Sequence, residues 1–155
     1  MKLLHHGFFI LCCLLFASGC TNSQQDGTKA VVTQHLTSFK GFPPGFEGCT
    51  CYFSGTEKEF QNEQYLFVSD LEQKAFITVN GKQINLKLDS TTRVDNSLDD
   101  SDYSETYSNG YYTLKMDVKF GGNTGDEVWW NTGIMTLYFK GVEIDRREFV
   151  GECGC

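Results

Sequence analysis

Histidine and proline are scarce in this chain, with three and two among 155 residues. Two of the histidines, His5 and His6, fall in an apolar N-terminal stretch. That leaves His35 as the one candidate for the imidazole base that serine and cysteine nucleophiles usually need. There is no histidine pair at metal-ligand spacing and no glycine-rich phosphate loop between a strand and a helix. Carboxylates are plentiful, but 20 acidic residues guarantee chance pairs, so none of them signals glycoside hydrolysis. These absences predict a protein that is not an enzyme. Basic residues are few as well, 13 against 20 acidic, which excludes the basic footprint of a nucleic-acid binder. A sustained helical period is lacking, and no apolar run reaches the roughly 20 residues a membrane-spanning helix needs.

What the chain does have begins at its N-terminus. Lys2 precedes an uncharged apolar run from Phe8 to Phe16, which ends in the small residues Ala17, Ser18 and Gly19 before Cys20. Short length and small terminal residues fit a secretory leader. Ala17-Ser18-Gly19-Cys20 resembles the lipobox of bacterial lipoproteins, with alanine where leucine is commonest. The resemblance implies diacylglycerol on the Cys20 sulfur, removal of residues 1–19, and an acyl chain on the new amino group. It requires no other cofactor. Thr21 follows the cysteine where an inner-membrane retention signal would carry aspartate, so the resemblance implies an outer-membrane rather than an inner-membrane home. Cys12 and Cys13 would leave with the leader. Each buried methylene contributes about 0.8 kcal/mol, so two or three chains give a lasting hold where one gives a marginal one.

Lys2 is the one charged residue before Cys20, so the net charge of −7 for the whole chain becomes −8 once the leader is gone. That charge favours a basic protein partner and disfavours anionic headgroups, leaving the acyl chains to do the anchoring. Residues 20–45 are polar and irregular enough to read as a tether, with a reach of roughly 25–30 Å. Its second half is expected to dock, since Phe39, Phe42 and Phe46 would be costly in water. The β-domain is expected over residues 46–155.

That domain opens on Cys49-Thr50-Cys51 and closes on Cys153-Gly154-Cys155. Residues two apart on a strand share a face, so each pair can meet the other across neighbouring strands. An oxidising compartment favours two disulfides between the ends, in either connectivity. A four-cysteine zinc or copper site is the competing reading, although paired zinc cysteines are usually separated by two to four residues.

Between these ends the period is two. Lys74–Val79 and Lys82–Leu88 flank Asn80-Gly81, a strong hairpin signal, and a two-residue loop pairs Ile77 with Ile84 and Ala75 with Leu86. Their opposite face reads as mostly wet. Residues 60–68 read as a strand, as do 111–120, with Tyr112, Leu114, Met116 and Val118 on one face. Gly121–Asp126 reads as a turn cluster, and Lys140-Gly141 as a turn pairing Leu137 with Ile144. Six to eight strands without helices predict an all-β fold, a small antiparallel barrel or sandwich whose termini are clipped by the cysteine pairs. Closure into a barrel would remove exposed edges.

Two features could bind a partner. The acidic stretch 89–109 carries Asp95, Asp99, Asp100, Asp102 and Glu105; it reads as a solvated loop that a basic partner could meet, since it lacks the ligand spacing of a calcium loop. Trp129-Trp130 should send one indole inward and the other outward, where it could stack on sugar, anchor a protein, or pack on the docked tether. The expected function is a non-catalytic envelope lipoprotein binding a basic protein or a glycan. Alternatives are a structural envelope component, a cysteine-based metal-binding protein, and an inhibitor of a basic cell-wall hydrolase; fold, size, anchoring and acidity are similar to those of periplasmic lysozyme inhibitors.

Overall fold

The computed structural model describes residues 33–93 and 101–155, so Cys20, Asp95, Asp99 and Asp100 lie outside the described residues. The chain forms β1 (Leu36–Thr37), β2 (Phe39–Lys40), β3 (Thr50–Ser54), α1 (Glu57–Gln61), β4 (Gln64–Tyr65), β5 (Phe67–Ser69), β6 (Lys74–Val79), β7 (Lys82–Thr91), β8 (Tyr103–Ser108), β9 (Tyr112–Gly125), β10 (Val128–Phe139) and β11 (Val142–Gly154).

The Asn80-Gly81 hairpin forms as its sequence predicts. Both turn residues have positive φ, and Ile77 faces Ile84 and Ala75 faces Leu86. From there the chain meanders: β7 pairs with β8, β8 with β9, β9 with β10 and β10 with β11, each antiparallel. β11 pairs back with β3, and β3 reaches β6 through β5, so eight strands close into an antiparallel barrel. Full closure leaves no continuous open edge for another chain to extend.

The seam between β3 and β11 carries both disulfides. Cys51 stands directly opposite Cys153 in the ladder, and the same antiparallel register brings Cys49 to Cys155. The bonds are Cys51–Cys153 and Cys49–Cys155, with Cα atoms 4.0 Å apart in each. Of the two connectivities open to the sequence, the antiparallel register permits only this one. The four sulfurs are thereby joined pairwise and are not thiolates available to a metal.

Inside the barrel, alternate residues of every strand form one core that includes Phe53, Phe67, Ile77, Leu114, Met116, Met135, Leu137 and Phe149. Two interior positions are glycine because a ring occupies their space. A Cβ at Gly151 would lie 2.8 Å from the Phe53 ring and overlap the Tyr52 carbonyl; one at Gly133 would lie 2.6 Å from Phe149 and overlap the Asp117 carbonyl. Phe53 and Phe149 stack with centroids 4.5 Å apart across this gap.

A second apolar layer lies outside. Residues 36–48 run along the barrel as a strap: β1 adds to β6 beyond the end of β5, and β2 pairs with β4. Phe39 packs edge-on against Phe76, and Phe46 is buried beside it. Phe76 and Thr78, on the face expected to be wet, are only 5 % exposed under this strap. Phe42 touches Tyr52 and Tyr65 but stays 48 % exposed.

Four local expectations are corrected. Residues 57–61 are helical where a strand was expected from residue 60. Thr56 caps the helix, accepting from the Glu59 amide at 3.2 Å while its hydroxyl donates to the Glu59 carboxylate at 3.1 Å, a Thr-x-x-Glu capping signal. Gly121–Asp126 is not all turn: β9 runs to Gly125, and two register shifts against β10 absorb the extra residues as bulges. Leu137 faces Asp145 instead of Ile144, because the register shifts between Leu137 and Tyr138 and leaves Ile144 as the extra residue. β7 runs to Thr91 and residues 103–108 form β8, so the stretch expected to be an acidic loop is strand at both of its ends.

Replacing Gly151 with alanine should cost about 1–3 kcal/mol, since neither the Phe53 ring nor the Tyr52 carbonyl can move freely. Urea unfolding of Gly151→Ala against the parent measures it; a change under half a kcal/mol would show the seam to be looser than its geometry.

Candidate functional site

The barrel has two ends. The Asn80-Gly81 and Lys140-Gly141 turns lie at one. The other gathers the disulfides, the turn between β5 and β6, the turn between β9 and β10, and the ends of β7 and β8.

At this second end Asp70 organises the rim. Its Oδ1 accepts from the amides of Glu72, Gln73 and Lys74 at 3.1, 2.9 and 2.8 Å, which fixes a tight turn and sets Leu71 and Glu72 at the opening. Opposite, Glu127 occupies the β9–β10 turn with positive φ, and its carbonyl accepts from the Cys155 amide at 3.2 Å. Trp129 is paired with Cys153, so its side chain lies on the inward face just above the disulfides. Between these groups is an open cavity of about 720 Å³ lined by Glu47, Asp70, Glu72, Lys74, Glu127 and Trp129, with Cys49 and Cys155 in its wall. Four carboxylates face one ammonium, and Lys74 Nζ is 4.0 Å from Asp70. Such a mouth attracts cations, and an indole face beside it can stack on a guanidinium or ammonium.

Below the mouth lies a buried polar network. Arg93 and Glu105 form an ion pair with side chains only 1 % and 2 % exposed. The Arg93 guanidinium sits 4.8 Å above the Tyr103 ring, and the Tyr107 hydroxyl donates to Glu105 Oε2 at 2.8 Å. The Tyr103 hydroxyl reaches the inner disulfide, 3.6 Å from Cys153 Sγ and 3.9 Å from Cys51 Sγ. Burial, followed by the nearby Glu105 charge, raises the ionisation of both tyrosines above the ordinary value of 10.0.

No protein-family model, curated protein or solved structure matches this chain. The site is therefore read from its own geometry.

The residues singled out by sequence disperse. Trp129 is at the mouth. Trp130 faces outward, edge-on to Phe60 at 5.2 Å, so it packs on α1 rather than on the strap. Asp102 lies at the start of β8 and accepts from the Phe120 amide at 3.0 Å, where β9 runs on past its neighbour. Glu105 is a core residue and not part of a solvated acidic loop. Its alternation with Tyr103 and Tyr107 is a period-two signal the acidic composition masked. Glu47, Asp70, Glu72 and Glu127 were not singled out, because the end of the strap and two separate turns bring them together. His35 lies at the opposite end, with its amide donating to Asn80 Oδ1 at 3.1 Å, far along the barrel from this mouth.

Two predictions test the network. Glu105→Gln leaves a buried guanidinium without its counter-charge and should cost about 3–5 kcal/mol in urea unfolding, while adding Arg93→Met should recover part of it. The second concerns pH. Unfolded tyrosines give up their protons near pH 10 and the buried ones do not, so their contribution is full below that pH and lost as pH rises past it. Stability should fall above pH 10 and fall less steeply in Tyr107→Phe; equal slopes would place the alkaline sensitivity elsewhere.

Proposed function

We propose that this chain is a lipid-anchored binding protein of the bacterial cell envelope, whose barrel mouth receives a basic segment of a protein partner. The observation that carries the reading is the 720 Å³ cavity in which Glu47, Asp70, Glu72 and Glu127 surround the Trp129 indole. An arginine or lysine side chain suits it: the cation meets several carboxylates, and its aliphatic stem lies along the indole. The net charge of −8 after the leader steers such a partner over distance. A neutral glycan gains nothing from that field. Catalysis is left out of this reading because the one histidine in the described domain stands at the other end.

The anchor enters from the sequence: Cys20 carries diacylglycerol and an acyl chain, and the home is the outer membrane. A basic cell-wall hydrolase, lysozyme among them, is one partner of the required charge.

Arginine-rich peptides should quench or shift Trp129 fluorescence and bind the domain of residues 21–155, weakening markedly between low and physiological salt. Neutralising Glu72 or Glu127 should cost about 0.5–1 kcal/mol each in that binding. Affinity indifferent to salt and to both substitutions would remove the mouth as the site. Mass measurement of protein taken from its native membrane checks the anchor: a lipid-bearing chain starting at Cys20 is expected, and an unmodified Cys20 would remove the localisation.

A further inference from the structure

The two disulfides differ in a way that stability does not explain. Both join the same strands, and they span 106 and 102 residues of sequence. In the chain-entropy treatment, closing so long a loop removes most of the freedom the unfolded chain has to lose, and either bond alone does this. The second then closes only a ring of a few residues and adds little.

Their surroundings divide the roles. The inner bond is sealed: Cys51 is 1 % exposed and Cys153 0 %, with the Tyr103 hydroxyl against the sulfurs. The outer bond joins two exposed residues, Cys49 and Cys155. Both line the acidic mouth, and Cys155 also lines a second hollow of about 320 Å³ on the barrel's outer side, beside Phe42, Phe46 and Tyr52. The outer disulfide is thus open to the mouth on one side and, at Cys155, to the second hollow on the other. A thiol can approach it without disturbing the core.

We propose that Cys49–Cys155 is a thiol-exchange site, opened by the dithiol form of an exported oxidoreductase and closed again by the disulfide form of such an enzyme, while Cys51–Cys153 stays intact. A thiolate of the dithiol attacks one of the two sulfurs, forming a mixed disulfide and releasing the other cysteine as a thiolate, which takes up a proton. The partner's second thiolate then attacks the mixed disulfide and releases the first cysteine. The dithiol is oxidised to a disulfide by two electrons, and Cys49 and Cys155 are reduced to thiols. The barrel survives, because the inner bond and the β3–β11 ladder still close it. Opening frees the wall of the mouth, so exchange would alter binding of a basic partner; this consequence rests on the function proposed above, whereas the exchange site itself does not.

The oxidised protein, anchor included, is treated with rising concentrations of dithiothreitol, alkylated and mapped by peptide mass. Cys49 and Cys155 should be labelled at a reductant concentration at least tenfold below that labelling Cys51 and Cys153, with near-ultraviolet circular dichroism unchanged at that stage. Labelling of all four together, of the inner pair first, or loss of the dichroism with the first opening would overturn the site. The gating consequence is read separately, from arginine-rich peptide affinity of the parent and of the C49S/C155S double variant. A threefold or larger difference supports it, and equal affinities overturn it. Absence of peptide binding to either protein would count against the basic-partner reading while the labelling order still decides the exchange site.

Discussion

Closure at the β3–β11 seam is the constraint on which the rest of the structure depends. β3 is five residues long and β11 thirteen, so the ladder joining first and last barrel strands is short. Without it the sheet would be an open meander with two unpaired edges and an exposed inner face. The cysteines sit where the seam is most easily lost, at its outer end, and their direct opposition fixes the register as well as the closure. A one-residue slip would place every interior side chain of β11 on the wrong face. Gly151, between Phe149 and Cys153 on the same face, gives Phe53 room to lie across the seam. Covalent bond, glycine and stacked rings therefore act on the same few residues.

A seam so placed also explains why the barrel interior holds side chains rather than a ligand. The middle is filled by Phe53, Phe67, Phe149 and the aliphatic residues around them, and toward the disulfide end the Arg93–Glu105 pair with Tyr103 and Tyr107 continues the packing. Burying two charges is expensive, and a hydrophobic pair of similar volume would often be as stable. The pair is held by hydrogen bonds from Tyr107 and Thr91 to Glu105, so it acts as a fixed plug under the mouth. The described interior is thus packed with side chains, and the hollows described above lie at the end of the barrel and on its outer surface.

Much of this was legible in the sequence because a barrel strand advertises its inward face every second residue. The Asn80-Gly81 hairpin, the alternation from Tyr112 to Val118, and the matched cysteine pairs each carried enough local information to give register or closure. Failures came where a local rule was overridden or hidden. Phe60 is apolar and looked like a strand residue, yet Thr56 and Glu59 had already committed that stretch to a helical turn. Glu105 looked like one more carboxylate in an acidic loop, because its partner Arg93 is twelve residues away and nothing local announces the pair. Phe76 and Thr78 faced a strap whose docking no periodicity describes. The mouth was the least legible feature: its carboxylates come from the strap and two turns far apart in sequence, and only the closed topology brings them to one rim.

The path of the chain gives that rim its meaning. Residues 35–37 join the barrel at the Asn80-Gly81 end, where the Asn80 amide donates to the His35 carbonyl at 3.0 Å. The strap then runs the length of the barrel before Cys49 enters the seam at the other end. The described chain therefore enters the barrel at the end opposite its mouth. The acidic rim, Trp129 and the exposed disulfide are all gathered at the end away from that entry, while the end nearer to it carries hairpin turns. Charge, aromatic surface and accessible sulfur converge on one hollow of a barrel otherwise built for closure, and that convergence is what supports the binding site proposed above.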